Sequence, residues 1–284
     1  MPMIRPAQRT ANITYAIRDV VLKAKELEKK GHSILSLNIG DPMKFDFAVP
    51  EHMVRSMMES IRKGIGQAYA DSHGVEEACA AIAKEMQKTH ASIDKDDVVM
   101  TNGSSEGINL AIGALLNPGE NILIPCPSYP VYNASITYHE GIINTYLLDE
   151  EDGFQPHLED MKRKVNDKTR AMVLIDPNNP TGALCSRKTV KEFINFAGQH
   201  NLAIMADEAY SKILFDDKEH YPAASLAGDV PAVTFGSLSK NYLCPGWRVG
   251  WIAFTGKGIE EYKKAVLQLA RARLCAVSPQ QYAV

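Results

Sequence analysis

Lys240 lies in the run Ser237-Leu238-Ser239-Lys240-Asn241-Tyr242, just after an apolar stretch at 232–235, and Arg248 follows in Pro245-Gly246-Trp247-Arg248-Val249-Gly250. A lysine amine attacks a carbonyl only when neutral, so it needs a desolvated or cationic setting. Arg248 supplies positive charge and a planar fork that suits a phosphate. The run Met100-Thr101-Asn102-Gly103-Ser104-Ser105-Glu106-Gly107 follows another apolar stretch and opens the apolar helical segment 108–116. Amides at a helix N-terminus, flanked by hydroxyls, make an anion site. It is no Walker-type loop: Gly256-Lys257 lacks both the upstream glycine spacing and a following Ser or Thr. In Asp207-Glu208-Ala209-Tyr210 a carboxylate can keep a heteroaromatic ring nitrogen protonated, making the ring an electron sink, and Tyr210 can reach an oxygen of the same ring. Asn179, in Pro177-Asn178-Asn179-Pro180-Thr181-Gly182, can donate to such an oxygen, and Tyr129, in Pro127-Ser128-Tyr129-Pro130, can stack on the ring. Each signal alone has a plain structural reading. These are a surface lysine, a helix cap by Ser104 or Ser105, a solvated acidic turn, a rigid Pro-Asn-Gly turn and a core tyrosine.

The elements that must position these residues are legible as periodicity. Ile13, Ile17, Val20, Val21, Ala24 and Leu27 recur at helical spacing and Gly31 can close that helix. A short extended piece at 34–37 ends in the turn Gly40-Asp41-Pro42, Pro50 opens a second helix, and 75–86 reads as a third. Short apolar runs follow at 98–100, 122–124, 142–148, 171–175, 202–206, 232–235 and 249–254, with helical stretches such as 187–200 between them. This alternation predicts an α/β protein with a mainly parallel, seven-stranded sheet. Ligands of open α/β sheets bind at the carboxyl ends of the strands, and the candidate residues fall just after the runs.

The chain has 284 residues, 45% hydrophobic and 23% charged, enough for one large core. A net charge of -3 without a basic run provides no field for nucleic acid, and no apolar run is long enough to span a bilayer. Five scattered cysteines point to reduced thiols and a cytoplasmic setting, and the eight histidines show no metal-ligand spacing, so no metal is expected.

Taken in order, Gly-Ser-Ser-Glu-Gly, Pro-Ser-Tyr-Pro, Asn-Asn-Pro-Thr-Gly, Asp-Glu-Ala-Tyr, Ser-Leu-Ser-Lys and Gly-Trp-Arg-Val-Gly closely resemble the class I/II aminotransferases of pyridoxal 5'-phosphate (PLP) fold type I. The stretches 37–47 and 270–275 look most like alanine aminotransferases of the archaeal and bacterial type. The resemblance implies that Lys240 carries PLP and shuttles the substrate proton, with Asp207 on the pyridine nitrogen. Asn179 and Tyr210 would contact the phenolic oxygen, and Tyr129 would stack on the ring. Gly103, Ser104, Ser105, Ser237 and Arg248 would surround the phosphate, with Tyr69 reaching that of a neighbouring subunit in a homodimer. Gly40, with Asn179, would lie near the substrate carboxylate. Residues 1–47 would belong to a small domain and 48–284 to the large PLP-binding domain. The family pattern runs on past Val284, so a fragment with an incomplete small domain is expected. The implied reaction is amino transfer between an L-amino acid, alanine foremost, and a 2-oxo acid such as 2-oxoglutarate. The alternatives are another fold type I activity, a C–S lyase or decarboxylase, and a PLP-binding chain without turnover.

Overall fold

The computed structural model describes residues 4–13, 16–36, 40–89 and 91–284. In chain order it contains α1 (Ala16–Lys29), α2 (Glu51–Arg62), α3 (Glu76–Gln87), β1 (Val98–Thr101), α4 (Ser104–Leu115), β2 (Asn121–Cys126), α5 (Pro130–Tyr138) and β3 (Ile142–Asp149). Then come β4 (Gln155–Pro156), α6 (Leu158–Lys164), β5 (Thr169–Ile175), α7 (Arg187–Gln199), β6 (Ala203–Asp207) and α8 (Ala223–Leu226). The last elements are β7 (Ala232–Ser237), α9 (Leu238–Asn241), β8 (Gly250–Thr255) and α10 (Glu260–Ala272). The expected extended piece is not a strand over 34–36, and its last residue, Leu37, lies outside the described residues.

Among the described residues the sheet has eight strands, not seven, in the order β1-β8-β7-β6-β5-β2-β3-β4. The additional strand, β4, is two residues long and pairs antiparallel with the end of β3, too short to register as an apolar run. Strands β3, β2, β5, β6 and β7 run parallel, whereas β8 opposes both β7 and β1. The reason is the connection. Residues 238–249 turn back at the carboxyl end of β7 without a full crossover helix, so the next strand must descend beside it.

Period-two alternation splits the sheet's side chains between two layers. Ala171, Val173 and Ile175 of β5 face the core under α4, α5 and α10, while Met172 and Leu174 face the core under α6, α7 and α8. Helix α7 shows how the sequence sets an element. Ser186 caps it by accepting from Thr189 N–H at 3.1 Å, and Val190, Phe193, Ile194 and Ala197 bury one face. A third cluster joins α2 and α3 to β1 through Met53, Ile82, Val98 and Met100. No described side chain before Met53 is buried, and on α1 Val20 is 55% exposed.

Candidate active site

The strand ends bring the chemical residues to one edge. Register aligns Ile175 with Asp207 and Asp207 with Phe235, while Gly250 stands opposite both Ser237 and Thr101. The segments bearing Asn179, Tyr210, Lys240 and Ser104 therefore leave the sheet at the same edge, and Arg248 enters β8 there. Strand order reverses between β2 and β5, so Tyr129, after β2, and Asn179, after β5, flank the crevice where α/β sheets bind ligands.

Helix α4 begins at Ser104 with Gly103 as N-cap, at φ +81 and without a side-chain cap bond. The plain reading, a Ser104 or Ser105 cap, is not what is found. The first amides of α4 keep their N–H groups for an anion. Arg248 sits in the left-handed region at φ 55, a costly position for a non-glycine residue. Its guanidinium donates to the carbonyls of Pro245 at 2.8 Å and Asn102 at 3.3 Å, so it lies across the mouth of this loop. A Cβ on Gly103 would run into that guanidinium, and one on Gly250 would meet the backbone of Gly103 and Ser104. Behind the loop the Glu106 carboxylate accepts from Asn102 N–H at 2.7 Å and from its amide at 3.0 Å. Arg273 donates to the Met100 carbonyl at 2.6 Å, with its Nε 3.4 Å from Glu106.

Lys240 is delivered by α9, a four-residue helix capped by buried Ser237, whose hydroxyl accepts from Ser239 N–H at 3.2 Å. The lysine Nζ donates to the Gly40 carbonyl at 2.6 Å. Burial lowers its pKa, Asp41 opposes that shift and Arg248 adds to it. The amine is thus biased toward the neutral, nucleophilic form.

Asp207, 4% exposed, accepts from Tyr132 Oη at 3.1 Å and from Ala209 N–H at 3.3 Å. Burial pushes its carboxyl up to about 6, with both hydrogen bonds pulling the other way. Burial also drives Glu208 to about 8, and its carboxyl accepts from Ala223 N–H at 2.9 Å, bracing the loop behind β6. Tyr210 is half-buried and feels the Asp207 charge. The side chains of Asn179, Ser104 and Ser105 make no hydrogen bond among the described residues, and Tyr129 is the N-cap residue of α5. Tyr69 is 82% exposed.

Sequence reasoning missed Tyr132, which reads as one more apolar position of α5, and Asp41, which reads as a turn residue. It also missed the buried pair of Asp176 and His220, whose Oδ2 and Nε2 stand 3.7 Å apart, each without a hydrogen bond. A cavity of about 680 Å³ bounded by Met53, Ile82, Glu208, His220, Thr234 and Trp251 contains none of the candidate site residues.

PLP fits this edge. It needs an anion cradle, a desolvated lysine and a buried carboxylate for its ring nitrogen. The uncapped α4 amides with Arg248 over the side-chain-free Gly103, the half-buried Lys240 and the buried Asp207 have that chemistry. An α/β sheet carrying these groups at its carboxyl edge defines a PLP-dependent enzyme of fold type I. The sequence pattern of the family "Aminotransferase class I and II" matches residues 32–284, and the chain belongs to that family of PLP-dependent aminotransferases. It is 40% identical over its whole length to the glutamate-pyruvate aminotransferase AlaA of Escherichia coli, spanning 71% of that protein. It is 39% identical to an alanine aminotransferase of Mycobacterium tuberculosis, with 96% of this chain matched to 64% of the relative. The solved alanine aminotransferase of Pyrococcus furiosus superposes with a TM-score of 0.94 at 42% identity, covering 98% of this chain and 71% of its own.

Proposed function

We propose that this chain transfers the amino group between L-alanine and 2-oxoglutarate, forming pyruvate and glutamate, with Lys240 as the residue that carries PLP. The observation that carries this reading is the convergence of Lys240, Asp207 and Arg248 on one sheet edge in a chain 40% identical throughout to a glutamate-pyruvate aminotransferase. When bound, PLP withdraws electrons from the substrate Cα through its protonated ring. Asp207 holds the ring nitrogen's proton by opposite charge. Asn179 and Tyr210 donate to the phenolic oxygen. Tyr129 covers the ring face. Ser104, Ser105, Ser237 and Arg248 bind the phosphate, with Gly103 letting the loop approach it. Lys240, once free as an amine, takes the proton from Cα. Gly40 and Asn179 lie beside the substrate carboxylate.

The assay is pyruvate formation from alanine and 2-oxoglutarate, run beside aspartate and tyrosine as donors. Release of carbon dioxide or a thiol without amino transfer would establish the lyase or decarboxylase reading instead. Gly103→Ala should weaken PLP binding at least tenfold, because its Cβ displaces Arg248 and φ +81 disfavours any side chain. Equal affinity by fluorescence titration would detach Arg248 from the phosphate.

The small-domain assignment of 1–47 is supported by the absence of buried side chains among its described residues, the first buried one in the chain's described residues being Met53. A homodimer is supported by apolar exposure around Tyr69: Ile65 is 46% and Leu274 50% exposed, and the two segments are joined by Ser72 Oγ donating to the Leu274 carbonyl at 2.7 Å. Tyr69→Phe should raise the PLP dissociation constant about tenfold, the loss of one hydrogen bond to a charged group, and leave the dimer intact in sedimentation. A monomer that binds PLP independently of Tyr69 would refute the shared site. Among the described residues no helix is long and apolar enough to cross a membrane. The five unpaired cysteines support a cytoplasmic location.

A further inference from the structure

Helix α5 opens at Pro130 and points its third residue, Tyr132, into the core beside Ile136, one turn on. Tyr132 is 0% exposed. Packing alone would be served by phenylalanine, whereas a buried phenol must find a hydrogen-bond partner. The partner here is Oδ2 of Asp207. We propose that Tyr132 is a positioning residue for transamination: its hydroxyl, 3.1 Å from Oδ2, holds the Asp207 carboxylate ionised and in one orientation toward the cofactor's ring nitrogen. This rests on the assignment of Asp207 to that nitrogen.

Asp207 leaves the sheet in a crowded, weakly charged setting. Tyr132 faces it from α5, Asp176 N–H donates to its carbonyl from beyond β5, and Glu208 and Tyr210 follow it in the chain. Phe235, its partner on β7, brings no charge. Lys240 is coupled to Asp41 and Arg248. Burial favours the neutral acid, and the Tyr132 hydroxyl is the side-chain donor that opposes it. A neutral Asp207 would give up its hold on the ring proton, and with it the electron sink.

The test follows carboxyl-13C aspartate in cofactor-free protein against pH, with the Asp207 signal identified by its loss in Asp207→Asn. Tyr132→Phe should move the midpoint up by about one pH unit, a tenfold change in acidity. 3-Fluorotyrosine placed at position 132 keeps the ring and makes the hydroxyl a stronger donor, so it should move the midpoint down. In the PLP-loaded enzyme Tyr132→Phe should lower kcat with alanine about tenfold, leave KM unchanged and shift the acid limb of the kcat profile upward. A midpoint unmoved in both variants overturns the proposal. A midpoint that moves while the loaded enzyme's profile stays put overturns the assignment of Asp207, and with it the catalytic part of the proposal.

Discussion

Lys240→Ala is expected to remove all borohydride-fixable cofactor from the protein and to lower transamination about 10⁴-fold, the upper end of what one positioned acid–base group contributes. Under the proposed reading this amine would carry the cofactor and move the proton at Cα, and both tasks would need its neutral form. Its surroundings favour that form through burial and the neighbouring Arg248, with Asp41 opposing. Lys257 and Lys212 are poorly placed to substitute. Lys257 is exposed and paired with Asp229, and Lys212 is held by Glu85 and Tyr242. Peptide mapping of reduced protein checks the site, and cofactor recovered on Lys257 or Lys212 would show that the wrong lysine has been assigned. Exogenous amines should restore part of the proton transfer in the variant, because they replace the base without replacing the covalent link.

Asp207→Asn should retain PLP and lose about 10²–10³-fold in kcat, the scale on which removal of one preorganised electrostatic group is felt. Cofactor-free and loaded protein should respond in opposite directions. Without cofactor, the fold favours the protonated acid, whose pKa rises from 3.8 to about 6. That preference is fully present below pH 3.8 and is lost as pH rises through about 6. Asparagine never ionises, so above that pH the cofactor-free variant should melt higher than wild type, with the gap closing as pH falls below 4. In the variant the Tyr132 hydroxyl can turn to accept from the new amide, which limits the loss of hydrogen bonding. If Asp207 faces the ring nitrogen as proposed, PLP binding should favour the carboxylate and the order should reverse, wild type melting higher at pH 8. An Asp207→Asn enzyme with an unchanged alanine half-reaction would show that the carboxylate faces something else.

Much of the architecture was legible because it rests on local rules. Apolar runs such as 171–175 and 98–100 became strands because β-branched and large apolar residues bounded by turns have no other buried solution at that length. The helix expected at 187–200 is α7, which ends at Gln199 and carries a Ser186 cap and one buried apolar face. The strand count came out one short because β4, at Gln155–Pro156, exists only through pairing with β3 and carries no pattern of its own. Asp207, Lys240 and Arg248 stood out because ionisable residues directly after, or just before, apolar runs are placed at the edge of a sheet before any coordinates are known.

By itself, then, the sequence determined the α/β class, the order of the chemical segments and their place at strand ends, all consequences of short-range periodicity. The tertiary structure alone decided what each side chain touches. It put the Lys240 amine on the Gly40 carbonyl across 200 positions of chain, and Tyr132 on Asp207 across 75. It left α4 uncapped beneath Arg248 and turned β8 against its neighbours. Contacts between distant segments depend on strand order and register, which arise from the packing of the whole sheet and leave no trace in the spacing of residues along one strand.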